Sequence, residues 1–194
     1  MSLLAVVLML GVSLGAAQAQ QAKPSPAERE ARAREYFTDT VLKTQADRPV
    51  KFYSDALKGK VVLINFVFTQ CGDACPLITA KLVQAKNELG DAFGRDVRFI
   101  SISLDPQHDR PADLASFARK FDAAHPEWLF LTGEPRNVEQ VVKRLGAWTE
   151  ELESHSTAII IGSPGRGKWK KLRPDAPAKA IALELRLLVD ESRL

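Results

Sequence analysis

Cysteine is scarce in this chain of 194 residues, which contains only Cys71 and Cys75. Because no cysteine precedes Cys71, the sequence argues against a lipid-modified N-terminal cysteine. The two cysteines lie four positions apart, so a disulfide between them would close a very small loop and remove little entropy from the unfolded chain. The pair therefore indicates chemistry at this position rather than a stabilising bridge.

The chain also has little excess charge. Its formal net charge is +3, and its lysines and arginines are scattered along the sequence rather than massed in one segment. Composition therefore gives no support to nucleic-acid binding. The hydrophobic fraction of 45% and the charged fraction of 26% are ordinary for a globular domain. The length fits one domain with terminal extensions.

Charged side chains are absent from Ser2 to Ala19. Leu3 to Leu14 is almost wholly apolar, but a membrane-spanning helix needs about 20 residues. Ala17-Gln18-Ala19 has the small-x-small pattern that signal peptidase cuts. The sequence predicts a signal peptide or membrane anchor over residues 1–19, a polar linker and N-terminal extension over 20–48, and a folded domain over 49–194. The folded part is then exported, and is either periplasmic or anchored to the inner membrane facing the periplasm.

The cysteine pair lies between a predicted strand and a predicted helix. The apolar run Val61–Phe68 precedes it and is typical of a buried strand, and helical spacing of apolar residues begins at Pro76. The N-terminus of a helix carries partial positive charge, which favours thiolate over thiol. Residues four apart also share one face of a helix. Both sulfur atoms are therefore expected to reach one partner, which is either the other sulfur in a disulfide or a soft metal ion.

The order of predicted elements after residue 60 indicates an α/β fold. Three strand–helix units are followed by a hairpin and a final helix. Without the third unit, this order is the thioredoxin arrangement. We therefore predict a thioredoxin-like fold with a central mixed sheet flanked by helices, a β-α insertion, and a C-terminal β-hairpin plus helix. Beyond Val61–Phe68, the predicted strands are Val97–Ser103, Trp128–Leu131, Thr157–Ile161 and Lys168–Leu172, and the predicted helices are Pro76–Leu89, Pro111–Ala124, Asn137–Leu145 and Pro174–Val189.

One of the three histidines lies where a third ligand is expected. Thioredoxin-like redox proteins carry a cis-proline in the loop that faces the cysteine turn. The corresponding loop here, Glu153–Thr157, contains His155 and no proline. Two thiolates and one imidazole form a soft ligand set that favours Cu(I) and also accepts Cu(II) or Zn(II). We therefore predict that His155 binds a metal ion together with Cys71 and Cys75. The alternative is a surface histidine at the end of a strand.

Other polar residues have less specific patterns. His108 and His125 are predicted to be solvated loop residues. Asp105 follows the predicted strand Val97–Ser103. It either orients the cysteine loop or the metal by contacting a residue that binds the metal, or it caps a turn. The basic segment Lys168–Lys171 is predicted to be a solvated hairpin, with a docking patch for an acidic partner as the alternative.

Short motifs along the chain together resemble the Sco/SenC family. The resemblance extends from about Tyr36 to the C-terminus, and its most specific parts are Cys71-x-x-x-Cys75-Pro76 and the later His155-Ser156. Members of this family are exported copper chaperones with a thioredoxin fold, linked to the assembly of cytochrome c oxidase. The supporting motifs are Phe66-x-Phe68-Thr69, Ser101-Ile102-Ser103-Leu104-Asp105-Pro106 and Trp128-x-Phe130-Leu131-Thr132-Gly133.

The resemblance implies that Cys71, Cys75 and His155 bind copper, as Cu(I), Cu(II) or both. It also implies a partner, which is either the oxidase subunit that bears the copper A centre or another periplasmic copper protein. The sequence departs from the family pattern at Gly72, where many members have proline, and at Arg110, which replaces a usual threonine. Neither departure removes a ligand.

Three functions fit these residues. A metallochaperone would hold copper in an open site and pass it to an acceptor by ligand exchange. A thiol–disulfide oxidoreductase would instead reduce the acceptor's cysteines, with Cys71 as the nucleophile and Cys75 as the resolving thiol. A copper or redox sensor would use the same residues without transfer. The missing cis-proline and the three-residue spacing argue against general oxidoreductase work, so we predict an assembly factor rather than an enzyme.

Overall fold

The computed structural model describes residues 24–72, 74–149 and 157–193, which fold around a seven-stranded mixed sheet. Its strands are β1 (Val41–Thr44), β2 (Pro49–Lys51), β3 (Val61–Val67), β4 (Val97–Ser103), β5 (Trp128–Thr132), β6 (Ile159–Ser163) and β7 (Lys168–Leu172). Their order across the sheet is β2-β1-β5-β4-β3-β6-β7. The central strands β3, β4 and β5 are parallel, and the outer pairings are antiparallel.

Helices cover both faces of the sheet. On one face, α2 (Ala74–Leu89), α4 (Pro111–Lys120) and α6 (Ala178–Arg193) pack against alternate residues of the strands. On the other face lie α1 (Pro26–Phe37), α5 (Pro135–Arg144) and a π-helical turn at Phe52–Leu57. Among the described residues, no helix is both long enough and apolar enough to span a bilayer. The short helix α3 (Ala92–Arg95) follows α2.

The central strand β3 is buried along its whole length. Helices on both faces of a sheet require its central strands to be apolar on both sides, so such strands are continuous hydrophobic runs rather than alternating ones. One polar exception crosses the core. The indole N–H of Trp128 donates to the Ser101 hydroxyl at 2.9 Å, and that hydroxyl donates to Asn65 Oδ1 at 2.7 Å. This chain of hydrogen bonds joins β5, β4 and β3.

The segment before residue 49 contains regular structure. Helix α1 begins with a capping box, in which the Ser25 hydroxyl accepts from the Glu28 N–H and the Glu28 carboxylate accepts from the Ser25 N–H. Strand β1 pairs with β5 and places Leu42 in the core. The sequence assigned these residues to the N-terminal extension, and the structure packs them onto the sheet.

One predicted boundary is wrong for a clear reason. Helix α5 begins at Pro135 with Glu134 as its N-cap, and not at the predicted Asn137. Proline is favoured in the first turn because its fixed φ suits the helix and its missing N–H would lack a helical partner there. The Asn137 side chain instead donates to the carbonyl of Val41 at 3.0 Å.

Candidate metal centre

The two cysteines lie at the carboxyl end of β3, where the chain turns into α2. Cys71 is in the turn and is partly exposed, whereas Cys75 is the second residue of α2 and has only 1% of its surface exposed. The backbone N–H of Cys75 donates to Cys71 Sγ across 3.4 Å. Both residues are thiols rather than a disulfide in this structure. The Cys71 sulfur is therefore held beside the first turn of α2.

A buried carboxylate ties the cysteine turn to the neighbouring strands. Asp109 is 1% exposed, and it accepts hydrogen bonds from the Thr69 N–H at 3.1 Å and the Thr69 hydroxyl at 2.5 Å. It also accepts from the Ser103 hydroxyl at 2.6 Å. Its backbone carbonyl accepts from the Thr132 hydroxyl at 2.9 Å. Asp109 thus joins the carboxyl ends of β3, β4 and β5. Its contact after β3 is with Thr69, which lies two residues before Cys71.

Asp105 lies in the same loop but has different partners. Its carboxylate contacts Nδ1 of the exposed His108 at 2.8 Å, and its backbone N–H donates to the Ser103 hydroxyl at 3.0 Å. Its suggested contact with the cysteine loop or the metal stays a prediction. Sequence reasoning missed Asp109, because Asp105 and Asp109 flank one short turn and the local pattern does not show which carboxylate folds inward.

The acidity of Cys75 differs from the sequence-based expectation. Burial raises the pKa of the Cys75 thiol to about 12, and the Cys71 thiol and the Asp109 charge act in the same direction. The helix N-terminus was expected to lower thiol pKa values, and for Cys75 this expectation is wrong. Removing a thiolate from water outweighs the helix dipole at this position. Cys75 therefore keeps its proton at neutral pH.

This difference predicts unequal thiol reactivity. In single-thiol variants, we expect Cys71 (in Cys75→Ser) to react with iodoacetamide roughly 10-fold or more faster than Cys75 (in Cys71→Ser) near neutral pH. Labelling of Cys75 should accelerate as pH rises toward its raised pKa, because thiolate is the reactive form. Rates measured by mass spectrometry in denaturant, where both thiols are exposed, provide the control. Equal rates in the folded state would contradict the burial argument.

Cys71 borders an open cleft. The cleft has a volume of about 360 Å³ and lies between the cysteine turn and helix α4. Gly72 lines it from the turn, Pro76 from the start of α2, and Phe117 and Lys120 from α4. Because Cys75 packs in the apolar core, the pair presents one sulfur toward a partner and holds the other away from water. Two thiols in this arrangement suit a soft metal ion.

The predicted third ligand, His155, lies outside the described residues. Within the described parts of the chain, no group of three or more His, Cys, Asp or Glu side chains is placed to hold a metal ion. The described chain resumes at Thr157 and enters β6, which pairs antiparallel with β3 through Ile160 and Ile64. The start of β6 therefore lies at the end of the sheet where β3 leads into the cysteine turn.

Comparisons with known proteins agree with this architecture. The SCO1 protein homolog of Bacillus subtilis is 42% identical over 79 residues, which are 41% of this chain and 40% of that protein. The chain thus spans less than half the length of that relative. The structure of Bradyrhizobium japonicum ScoI with copper bound has a TM-score of 0.65 and 25% identity, and the match covers 76% of this chain and 96% of that chain.

A second solved structure is BsSco, described as a member of the Sco family of cytochrome c oxidase assembly proteins in which a disulfide switch was identified. It has a TM-score of 0.65 and 28% identity, and the match covers 77% of this chain and 91% of that chain. The predicted thioredoxin-like fold is confirmed by these neighbours. The SCO1/SenC family model matches residues 32–189. The resemblance seen in the sequence is therefore confirmed, and the chain belongs to the SCO1/SenC family.

Proposed function

We propose that this protein is a copper metallochaperone that delivers copper to the copper A centre of cytochrome c oxidase. The observation that carries the proposal is the thiol pair four residues apart, with Cys71 at a cleft and Cys75 in the core. Two relatives support it, because ScoI of Bradyrhizobium japonicum has copper bound and BsSco belongs to a family of oxidase assembly proteins.

Cys71, Cys75 and His155 are the proposed ligands. Two thiolates favour Cu(I), and the imidazole allows the same site to accept Cu(II). Binding requires both thiols to lose their protons, so copper competes with protons at each sulfur. Because burial raises the pKa of Cys75 to about 12, copper affinity falls as pH falls. Asp105 is proposed to orient this site by contacting a residue that binds the metal.

The unequal exposure of the two sulfurs suits transfer of the copper. An acceptor thiolate can reach a metal ion held at the cleft from the Cys71 side, while the buried Cys75 keeps its position in α2. Copper would then leave by exchange of one ligand at a time. The proposed acceptor is the oxidase subunit that bears the copper A centre, or another periplasmic copper protein. The proposed location is the periplasm, with residues 1–19 as signal peptide or membrane tether.

The experiment that tests the three-ligand site is replacement of His155. We expect the reduced chain from Gln20 onward to bind one copper ion, and the His155→Ala variant to lose roughly 10-fold or more in copper affinity and to change its Cu(II) absorption spectrum. The matched control is His125→Ala, which removes an exposed histidine in the loop before β5 and leaves Asp105 and its partner in place. If stoichiometry, affinity and spectrum all survive in His155→Ala, the site lacks this ligand.

A thiol–disulfide oxidoreductase is the second candidate, favoured by the partly exposed Cys71 beside Cys75. The raised pKa of Cys75 opposes it, because a resolving thiol must attack as thiolate. His155→Ala separates the two functions, since it leaves both thiols in place. Disulfide exchange should survive in this variant while copper-centre assembly in a strain lacking the protein fails. Full assembly with His155→Ala and failure with Cys75→Ser would make the thiol chemistry the physiological role.

A further inference from the structure

A second cavity of the described chain is lined by residues far from the cysteine turn in the sequence and is not used by the proposed function. It is an open trough of about 670 Å³ between helix α1, the end of α5 and the hairpin β6–β7. Phe37, Leu145, Ile160 and Trp169 give it an apolar floor. This volume is in the range of known ligand pockets. We call it the α1–β7 trough.

The floor is built by a close contact between two strands. Gly162 of β6 is paired with Trp169 of β7, and a Cβ atom at Gly162 would lie 2.2 Å from the indole ring. Only glycine therefore lets the ring lie flat against the sheet. On its other side the ring packs on Phe37 of α1, with ring centroids 4.7 Å apart. The aromatic surface of the trough is thus fixed by packing from both α1 and β6.

The rim of the trough carries an excess of positive charge. No Asp or Glu is among the described residues that line it, and of its six cations only Lys170 forms an ion pair, with Glu184. Several of the others donate to backbone carbonyls instead, as Arg166 does to Ser192 and Lys171 to Gly146. The cations are Arg29, Arg32, Arg144, Arg166, Lys170 and Lys171.

Hydrogen bonds to carbonyls position these cations without neutralising them. Arg29 donates to the carbonyl of Gly165, and Arg144 donates to the carbonyls of Glu35 and Tyr36. The trough therefore combines an excess of positive charge at its rim with aromatic surface at its floor. A ligand complementary to both has an anionic head and an apolar body, and a bilayer of anionic phospholipid presents that combination as a surface. Arginine, lysine and tryptophan are also the side chains that anchor proteins at such interfaces.

The position of the trough in the chain favours a membrane over a soluble ligand. Pro24, the first described residue, lines the trough. The sequence just upstream, Ser2–Ala19, is uncharged and largely apolar. We propose that the α1–β7 trough is a docking site for anionic phospholipid, which holds the folded domain against the membrane surface through α1 and β7. This inference is independent of copper binding and would stand if the metallochaperone proposal failed.

The test is vesicle binding by the chain from Gln20 onward, which contains every described helix and strand. We expect it to sediment with vesicles of phosphatidylcholine and phosphatidylglycerol but not with phosphatidylcholine alone. Each basic residue near an anionic surface contributes about 1 kcal/mol, so the pair Arg32→Gln, Lys171→Gln should lower the partition coefficient roughly 30-fold. Both side chains are exposed, so their loss should not unfold the protein.

The matched control is the pair Arg48→Gln, Lys51→Gln. These exposed cations lie on and beside β2, at the opposite edge of the sheet from β7, and the net charge changes equally. The control pair should bind vesicles nearly as well as the parent chain. A blue shift of tryptophan fluorescence on vesicle addition should also disappear in Trp169→Phe. The Cys71→Ser, Cys75→Ser chain should bind like the parent, whatever its copper content.

Four results would overturn the proposal. If the protein does not bind vesicles that contain phosphatidylglycerol, the proposal is wrong. An equal loss in both glutamine pairs would mean that net charge, and not the trough, governs binding. Saturation of the Trp169 signal by monomeric lysophosphatidylglycerol without vesicle binding would assign the trough to a free amphiphile. Binding of polyaspartate without vesicle binding would assign this face to an acidic protein partner.

Discussion

We expect the Cys75→Ser variant of the reduced protein to lose more than about 100-fold in Cu(I) affinity, since even substitutions outside the ligand shell cost 10–100-fold. A serine hydroxyl is a poor ligand for a soft ion. Cys75 also lies in the core at the start of α2, so no water molecule can readily replace its sulfur. Competition with a chromogenic Cu(I) chelator would measure the loss.

The control for this prediction is Leu82→Ala, which shortens a buried side chain two turns further along α2. It should lower the free energy of unfolding by about 2–5 kcal/mol and leave copper affinity within a few-fold of the parent. Oxidising the parent to the Cys71–Cys75 disulfide should match the loss in Cys75→Ser, because a disulfide sulfur is a far weaker ligand than thiolate. Tight copper binding by the fully oxidised chain would place the metal elsewhere.

Asp109→Asn is expected to weaken copper binding roughly 10- to 100-fold and to lower the free energy of unfolding by roughly 1–3 kcal/mol. The asparagine keeps the shape of the side chain but loses the charge that accepts from the Thr69 N–H, the Thr69 hydroxyl and the Ser103 hydroxyl. The turn that carries Cys71 would then lose its link to β4. Chelator competition, chemical denaturation and the alkylation rate of Cys71 provide the three measurements.

Asp105→Asn is the matched comparison, since it makes the same chemical change four residues away. Its carboxylate contacts His108 rather than Thr69, so the geometry predicts a smaller effect on copper affinity than in Asp109→Asn. A larger loss of copper affinity in Asp105→Asn would identify Asp105 as the carboxylate that orients the metal-binding residues, as the sequence suggested. Equal stability loss in both variants with unchanged copper affinity would limit Asp109 to a structural role.

The sequence predicted the setting of the cysteine pair because that setting depends on local patterns. The apolar run before Cys71 and the helical spacing after Cys75 place a strand-to-helix turn there, and the structure has β3 and α2 at these positions. The direction of the Cys75 pKa shift could not be obtained in the same way. It depends on how far α2 packs into the core, and periodicity shows which face is buried but not whether desolvation exceeds the helix dipole.

The α1–β7 trough was also beyond sequence reasoning. The segment Lys168–Lys171 was interpreted as a solvated hairpin or an acidic-partner patch, from its local charge alone. Arg29 and Arg32 lie in α1, and Arg144 ends α5. The two α1 residues lie more than a hundred positions before Arg144 and the hairpin, and only the sheet order, which places β7 at an edge beside β6, brings these charges around Trp169.

The hydrogen-bonded chain Trp128–Ser101–Asn65 has a consequence for how the three parallel strands align. Because β3 and β4 carry buried hydrophobic side chains on both faces, a one-residue slip between them would still bury hydrophobic side chains, and the hydrophobic pattern specifies the register only weakly. Asn65 lies opposite Ser101 in the observed register. A slip by one residue would turn one of these two groups to the other face and break the hydrogen bond between them in the core. The three polar groups therefore select a single alignment of β3 and β4, and with it the meeting of Thr69 and Asp109 beneath the cysteine turn.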